Sequence, residues 1–154
     1  ENGDIGYTQT KKLDSSCYES MRNSDMVVLI IGGEYGSAAS GEKKDGFKEY
    51  MSVTRNELKT AIDSGIPVFA MIDKGVMAEY RMYEANYDLI EKEKKELNFV
   101  STKNINVLRF IKEIKDNVII PIQEFEKSAD IKEFISKQWA DMLKNYLNSL
   151  RNER

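Results

Sequence analysis

The chain of 154 residues contains no histidine. This absence removes nucleophile systems that borrow an imidazole base, imidazole proton shuttles and histidine metal sites. Any acid–base or charge-stabilising chemistry therefore falls to carboxylates. A single cysteine, Cys17, closes no internal disulfide, so the composition fits a reducing, cytoplasmic setting in which ordinary core packing supplies stability. No apolar run approaches the roughly 20 residues that a membrane helix needs, and no secretory signal is visible. A net positive charge is lacking as well. The chain has 23 Lys and Arg against 26 Asp and Glu, a net charge of −3, and its lysines are interleaved with glutamates. A nucleic-acid backbone calls for a clustered basic surface, so neither a membrane nor a nucleic acid is expected as partner. Carboxylates paired at metal-ligand spacing are also missing, and no metal site is predicted.

What is present is an alternation of buried-strand and helix patterns. Met26 to Ile31 is an aliphatic run of the kind covered on both faces in parallel sheets. Val68 to Ile72 follows Gly65 and Pro67, which stop a helix predicted from about Val53 to Ser64 with Leu58, Ala61 and Ile62 inward. Asp25 and Asp73, which flank the strands, read as turn or capping residues. A helix is predicted from about Met77 to Leu97, carrying Tyr80, Tyr83, Tyr87 and Ile90 and ending in the solvated run Glu91 to Glu96. Asn104 is placed to cap a helix over Val107, Leu108, Ile111 and Ile114, and Val118 to Ile120 reads as a short third strand. Ser128 opens a long last helix, 128–150. Its stripe of Ile131, Phe134, Ile135, Trp139, Met142, Leu143, Tyr146, Leu147 and Leu150 is expected to cover one sheet face, with Trp139 in the core.

Ahead of the first strand, residues 1–13 read as a loop, and Asp14 caps a short helix bearing Cys17 and Met21. Gly32 to Met51 reads as a long glycine-bearing loop, a length that is usually functional or disordered. The whole chain is predicted to be one α/β domain, an open, mainly parallel sheet with helices on both faces, because parallel neighbours need right-handed crossovers. Three strands leave apolar edge uncovered, so one or two strands are expected ahead of Glu1.

In such sheets ligands bind at the carboxyl ends of the strands. Thr54-Arg55-Asn56-Glu57 fits a capping box, which sets Glu57 in the first turn of its helix, beside the Gly32-Gly33 turn. A backbone capping role and a ligand role for Glu57 are compatible. Ser52 and Thr54 have hydroxyls that can hydrogen-bond a ligand, and the N–H groups after Gly32 and Gly33 can approach a phosphate without an intervening side chain. Tyr35 either stacks on a base or packs beside the loop. The glycine turn is neither a P-loop nor a dinucleotide fingerprint, and a plain tight turn accounts for it equally well.

Ile31-Gly32-Gly33-Glu34-Tyr35-Gly36-Ser37, Ser52 to Ala61 with its S-x-T-x-x-E-x-x-x-A pattern, and Gly65-Ile66-Pro67-Val68 together carry a resemblance. From about Asp4 to Asp73 the chain resembles a bacterial TIR-like family of unknown function, found at the N-termini of STAND-type NTPases and other defence or signalling proteins. Its wider relatives are TIR domains and nucleoside 2-deoxyribosyltransferases, which share a flavodoxin-like sheet. The resemblance implies that Glu57 is catalytic, that NAD or a related nucleotide is substrate rather than cofactor, and that the protein forms homo-oligomers on activation. Two alternatives stand beside glycoside cleavage: a non-catalytic nucleotide-sensing or self-association module, and a deoxyribosyltransferase-like transferase.

Overall fold

The computed structural model describes residues 24–33 and 44–153, with 44–53 as helix backbone alone. The loop 1–13, the helix expected around Cys17 and Met21, and Tyr35 lie outside the described residues, as does the side chain of Ser52. The elements in chain order are β1 (Val27–Ile31), α1 (Lys44–Asp63), β2 (Val68–Asp73), α2 (Lys74–Ala85), α3 (Tyr87–Glu91), α4 (Ile105–Asn117), β3 (Ile122–Phe125) and α5 (Ser128–Asn152). The three strands form one parallel sheet in the order β1-β2-β3, the open α/β architecture expected.

Both prolines of the chain stand immediately before strands, where a missing N–H costs the ladder nothing. Their carbonyls are used: Pro67 accepts from Val27 N and Pro121 from Ala70 N, each at 2.9 Å. Alternation along the strands then divides the sheet. Ile31, Val68 and Ile72 join a core with Leu58 and Ala61 of α1, Val76, Tyr80 and Tyr83 of α2, and Val107, Leu108, Phe110, Ile111 and Ile114 of α4. On the other face Phe69 meets Phe134 of α5 edge to face at 5.5 Å. Helices thus cover both faces, as successive right-handed crossovers in one direction require for α1 and α4 on the same side.

Boundaries differ from expectation at three elements. Helix α1 begins at Lys44 instead of Val53, so much of the anticipated long loop is helical. Phe47, Tyr50, Met51, Thr54, Leu58 and Ala61 already recur at helical steps, a pattern hidden by the intervening charges and Gly46. Gly65 does end α1, with φ +69 and the reciprocal bonds Gly65 N to Ile62 O and Ile66 N to Ala61 O at 3.0 and 2.9 Å. The helix expected to reach Leu97 breaks at Asn86, whose side chain donates to the Met82 carbonyl at 2.8 Å and competes with the backbone ladder. The third strand starts at Ile122. Val118 instead caps α4 through its N–H to Ile114 O, and Ile119 stands fully in water.

The last helix departs most. α5 buries no residue completely, and Trp139, Leu143, Tyr146, Leu147 and Leu150 are between 41% and 60% exposed. Its 25 residues span about 37 Å, whereas a six-residue strand runs only about 20 Å. The sheet runs out before the stripe does. Trp139→Ala is therefore expected to cost about 1–2 kcal/mol, against the ~3–5 kcal/mol typical of a buried aromatic. Urea unfolding of the two proteins checks this, and a core-sized loss would contradict the placement of Trp139 at 45% exposure.

Candidate functional site

The carboxyl ends of β1 and β2 are built from Gly32-Gly33 and Asp73-Lys74-Gly75. Asp73 caps α2, its Oδ1 accepting from Gly75 N at 2.9 Å and Val76 N at 3.1 Å, the capping role anticipated for it. Across these two strand ends runs the irregular connection between α3 and α4. Its Ser101 carbonyl lies so close to Gly33 that an added Cβ would come within 1.6 Å of the oxygen. A Cβ on Gly75 would meet Ser101 Oγ at 2.6 Å, and Lys103 N donates to Gly33 O at 3.0 Å. Residues 100–103 are thus a strap seated on the strand ends.

Glu79 of α2 holds the strap. Its Oε1 accepts from Val100 N at 2.6 Å and Ser101 N at 2.7 Å. Burial raises its pKa, but the N–H groups of Ser101, Val100 and Thr102 outweigh that and leave the carboxyl below the usual range. Glu79 Oε2 and Thr102 Oγ1 are both buried, and neither has a partner at good hydrogen-bond geometry among the described residues. The Thr102 hydroxyl still helps hold Glu79 in its charged form, at a separation looser than a well-formed bond. Sequence reasoning missed Glu79 and the strap, since residues 79 and 101 meet only through tertiary packing. The Ser101-Thr102 pair before the Asn104 cap was the only local sign.

The sequence-predicted residues divide. Gly33 is spent on the strap, whereas a Cβ on Gly32 would meet none of the described residues within 4 Å, so among the described residues the diglycine turn is uncovered at Gly32. Thr54 is buried and shares the inward face of α1 with Leu58 and Ala61; it is a packing residue there, and no helix starts at it. The capping box is accordingly absent, because α1 begins at Lys44.

Glu57 lies in the second half of α1, roughly two turns before Asp63 ends it, hence ~9 Å above the amino edge of the sheet. The Gly32-Gly33 turn is about 17 Å above that edge, at the end of a five-residue strand. Glu57 thus stands beside the middle of the sheet, below the diglycine turn and not level with it. It is half-buried on the flank of α1 turned away from α4, and burial pushes its carboxyl pKa up. It makes no hydrogen bond or ion pair with the described residues. Arg55 occupies the other flank, its guanidinium bound to both Glu113 oxygens at 2.9 Å and lying over the Phe110 ring. That contact tops an apolar groove of about 580 Å³ between α1 and α4, bounded by Ile62, Ile114 and Ile119 at the opposite, amino edge.

Among the described residues no three His, Cys, Asp or Glu side chains converge in a way that holds a metal ion, and no helix is long and apolar enough to cross a membrane. A parallel α/β sheet with a glycine turn and a strapped carboxyl edge defines the class of this protein. By sequence the chain belongs to the family described as "Domain of unknown function (DUF4062)", whose model matches residues 2–140. Searches of the curated proteins and of the solved structures returned no match.

Proposed function

We propose that this domain is TIR-like and binds NAD or a related nucleotide along the outer flank of β1, with phosphate near Gly32 and ribose toward Glu57. The observation that carries the reading is Glu57 itself. A half-buried carboxylate that has no hydrogen-bond or ion-pair partner among the described residues is raised in pKa and costs stability, and such groups cluster at sites of chemistry. The vertical offset of ~8 Å between Gly32 and Glu57 is one that a ribose-phosphate unit bridges.

In this reading the C1′–N bond to nicotinamide breaks, the ring leaves as a neutral molecule with the bonding pair, and positive charge builds on the ribose. The ionised Glu57 carboxylate stabilises that charge until water adds at C1′ and releases a proton. A cationic nicotinamide leaves without a general acid, so the lack of histidine is no obstacle. The setting that suits it is bacterial signalling or defence in the cytoplasm.

The test is product analysis of NAD incubated with the protein and with Glu57→Gln. Turnover is expected to fall about 100-fold in the variant, the scale of losing one charge-stabilising group. In the wild type it is expected to fall as pH drops through the raised Glu57 pKa. Equal turnover in the two proteins removes Glu57 from the chemistry. Binding without products leaves a nucleotide-sensing domain instead.

A further inference from the structure

The strap divides the carboxyl edge into a closed part and an open part, and Glu79 decides where the division falls. Over β2 the edge is filled, because Ser101 contacts both Gly33 and Gly75 and Lys103 N is bound to Gly33 O. Over the outer side of β1 no described residue comes within 4 Å of the place a Cβ on Gly32 would take. The strap has no helix or strand ladder of its own to keep it there. Val100 is 91% exposed, and its N–H and that of Ser101 both end on Glu79 Oε1. Without that carboxylate these amides lose their acceptor, and Ser101 loses the contact that presses its carbonyl onto Gly33.

We propose that Glu79 is a positioning residue of the ligand edge: by binding the Val100 and Ser101 amides it holds the strap down on Gly33 and Gly75 as the inner wall of the site, which confines a ligand to the Gly32 side. The inference deepens the nucleotide reading and rests on it for the nature of the ligand. The wall itself rests only on the contacts of Glu79, Ser101, Gly33 and Gly75. Glu79 touches no ligand in this arrangement and acts through the strap.

Two variants test it. Glu79→Ala removes both acceptors. Glu79→Gln keeps one carbonyl oxygen for the two amides and turns an amide group toward the Thr102 hydroxyl. Hydrogen exchange of the whole protein is expected to accelerate at least tenfold at residues 99–103 and at 32–33 in Glu79→Ala, and to return most of the way to wild type in Glu79→Gln. Exchange in α4 and β2 should change little. Calorimetry with NAD and with ADP-ribose is expected to show at least fivefold weaker binding for Glu79→Ala and near-normal binding for Glu79→Gln. Unchanged exchange at 99–103 overturns the proposal, as does faster exchange with undiminished affinity, which would leave Glu79 a structural residue only. If the wild type binds neither compound, the nucleotide reading fails. Exchange then decides the wall alone: acceleration confined to the strap and the diglycine turn upholds it, and its absence or its spread over the whole fold overturns it.

Discussion

Gly33→Ala is expected to destabilise the protein by about 3 kcal/mol, the upper end for an overpacked site, while Gly32→Ala one residue away should be neutral or slightly stabilising. At Gly33 the new Cβ falls 1.6 Å from the Ser101 carbonyl oxygen and 2.8 Å from its carbon. Both are backbone atoms, so no side-chain rotation relieves the clash. Relief requires lifting the strap, which breaks the bond from Lys103 N to Gly33 O and pulls Val100 and Ser101 off Glu79. Several hydrogen bonds are then lost for one methyl group. At Gly32 no described residue lies within 4 Å of the new Cβ, and its φ is not in the left-handed region. Alanine there mainly reduces the freedom of the unfolded chain, worth about 0.4–1 kcal/mol. Urea unfolding of both variants measures the difference. Equal effects would show that Gly33 is not pinned by the strap.

This contrast also shows what the amino-acid pattern made legible. Diglycine after a strand was legible as a turn with close backbone approach, and close approach is what Gly33 does. The approaching group, however, is Ser101 of the same chain, 68 residues on in sequence, and periodicity carries no information about such a pairing. Strands β1 and β2 were readable because their aliphatic runs are short, uninterrupted and bounded by glycine and proline. The third was not, because Val118 to Ile120 is the more aliphatic segment and Ile122–Phe125 carries a glutamine and a glutamate. As an edge strand of the described sheet, β3 tolerates those polar side chains.

The start of α1 was the costliest misreading for the site. Setting it at Val53 made Glu57 a first-turn residue level with the strand tips, and the extra length of α1 lowers that carboxylate to the middle of the sheet. Glu57 is there a half-buried acid with no partner among the described residues, on the flank of α1 turned away from α4. The apolar stripe of α5 shows the converse error, since periodicity identifies a helical face correctly but says nothing of whether a sheet is long enough to meet it.

Raising the pH above about 10 is expected to unfold the protein progressively, and Tyr80 and Tyr83 are the cause. Both are buried, at 0% and 1% exposure. Burial first, and then the hydrogen bonds to Glu84 and Glu91 and repulsion by those carboxylates, push both phenols well above their ordinary range. Each hydroxyl donates at 2.9 Å, to Glu84 Oε1 and to Glu91 Oε1, so ionisation would remove the donor and set two anions face to face. In the unfolded chain a tyrosine ionises near pH 10. Below that pH both states keep the proton and the stabilisation is complete. Above it the unfolded chain sheds protons that the folded protein retains, and stability falls by up to ~1.4 kcal/mol per pH unit for each tyrosine. Two units above pH 10 the pair removes about 5 kcal/mol, comparable with the whole stability of a small domain. Denaturant titrations at stepped pH, read beside tyrosinate absorbance, follow the loss. The double variant Tyr80→Phe/Tyr83→Phe is expected to cost ~1–3 kcal/mol at pH 8. Arg109 still binds Glu91 there, at 2.7 and 3.1 Å, so that carboxylate is not orphaned. The same variant should flatten the alkaline slope; an unchanged slope would assign the alkaline transition to other groups.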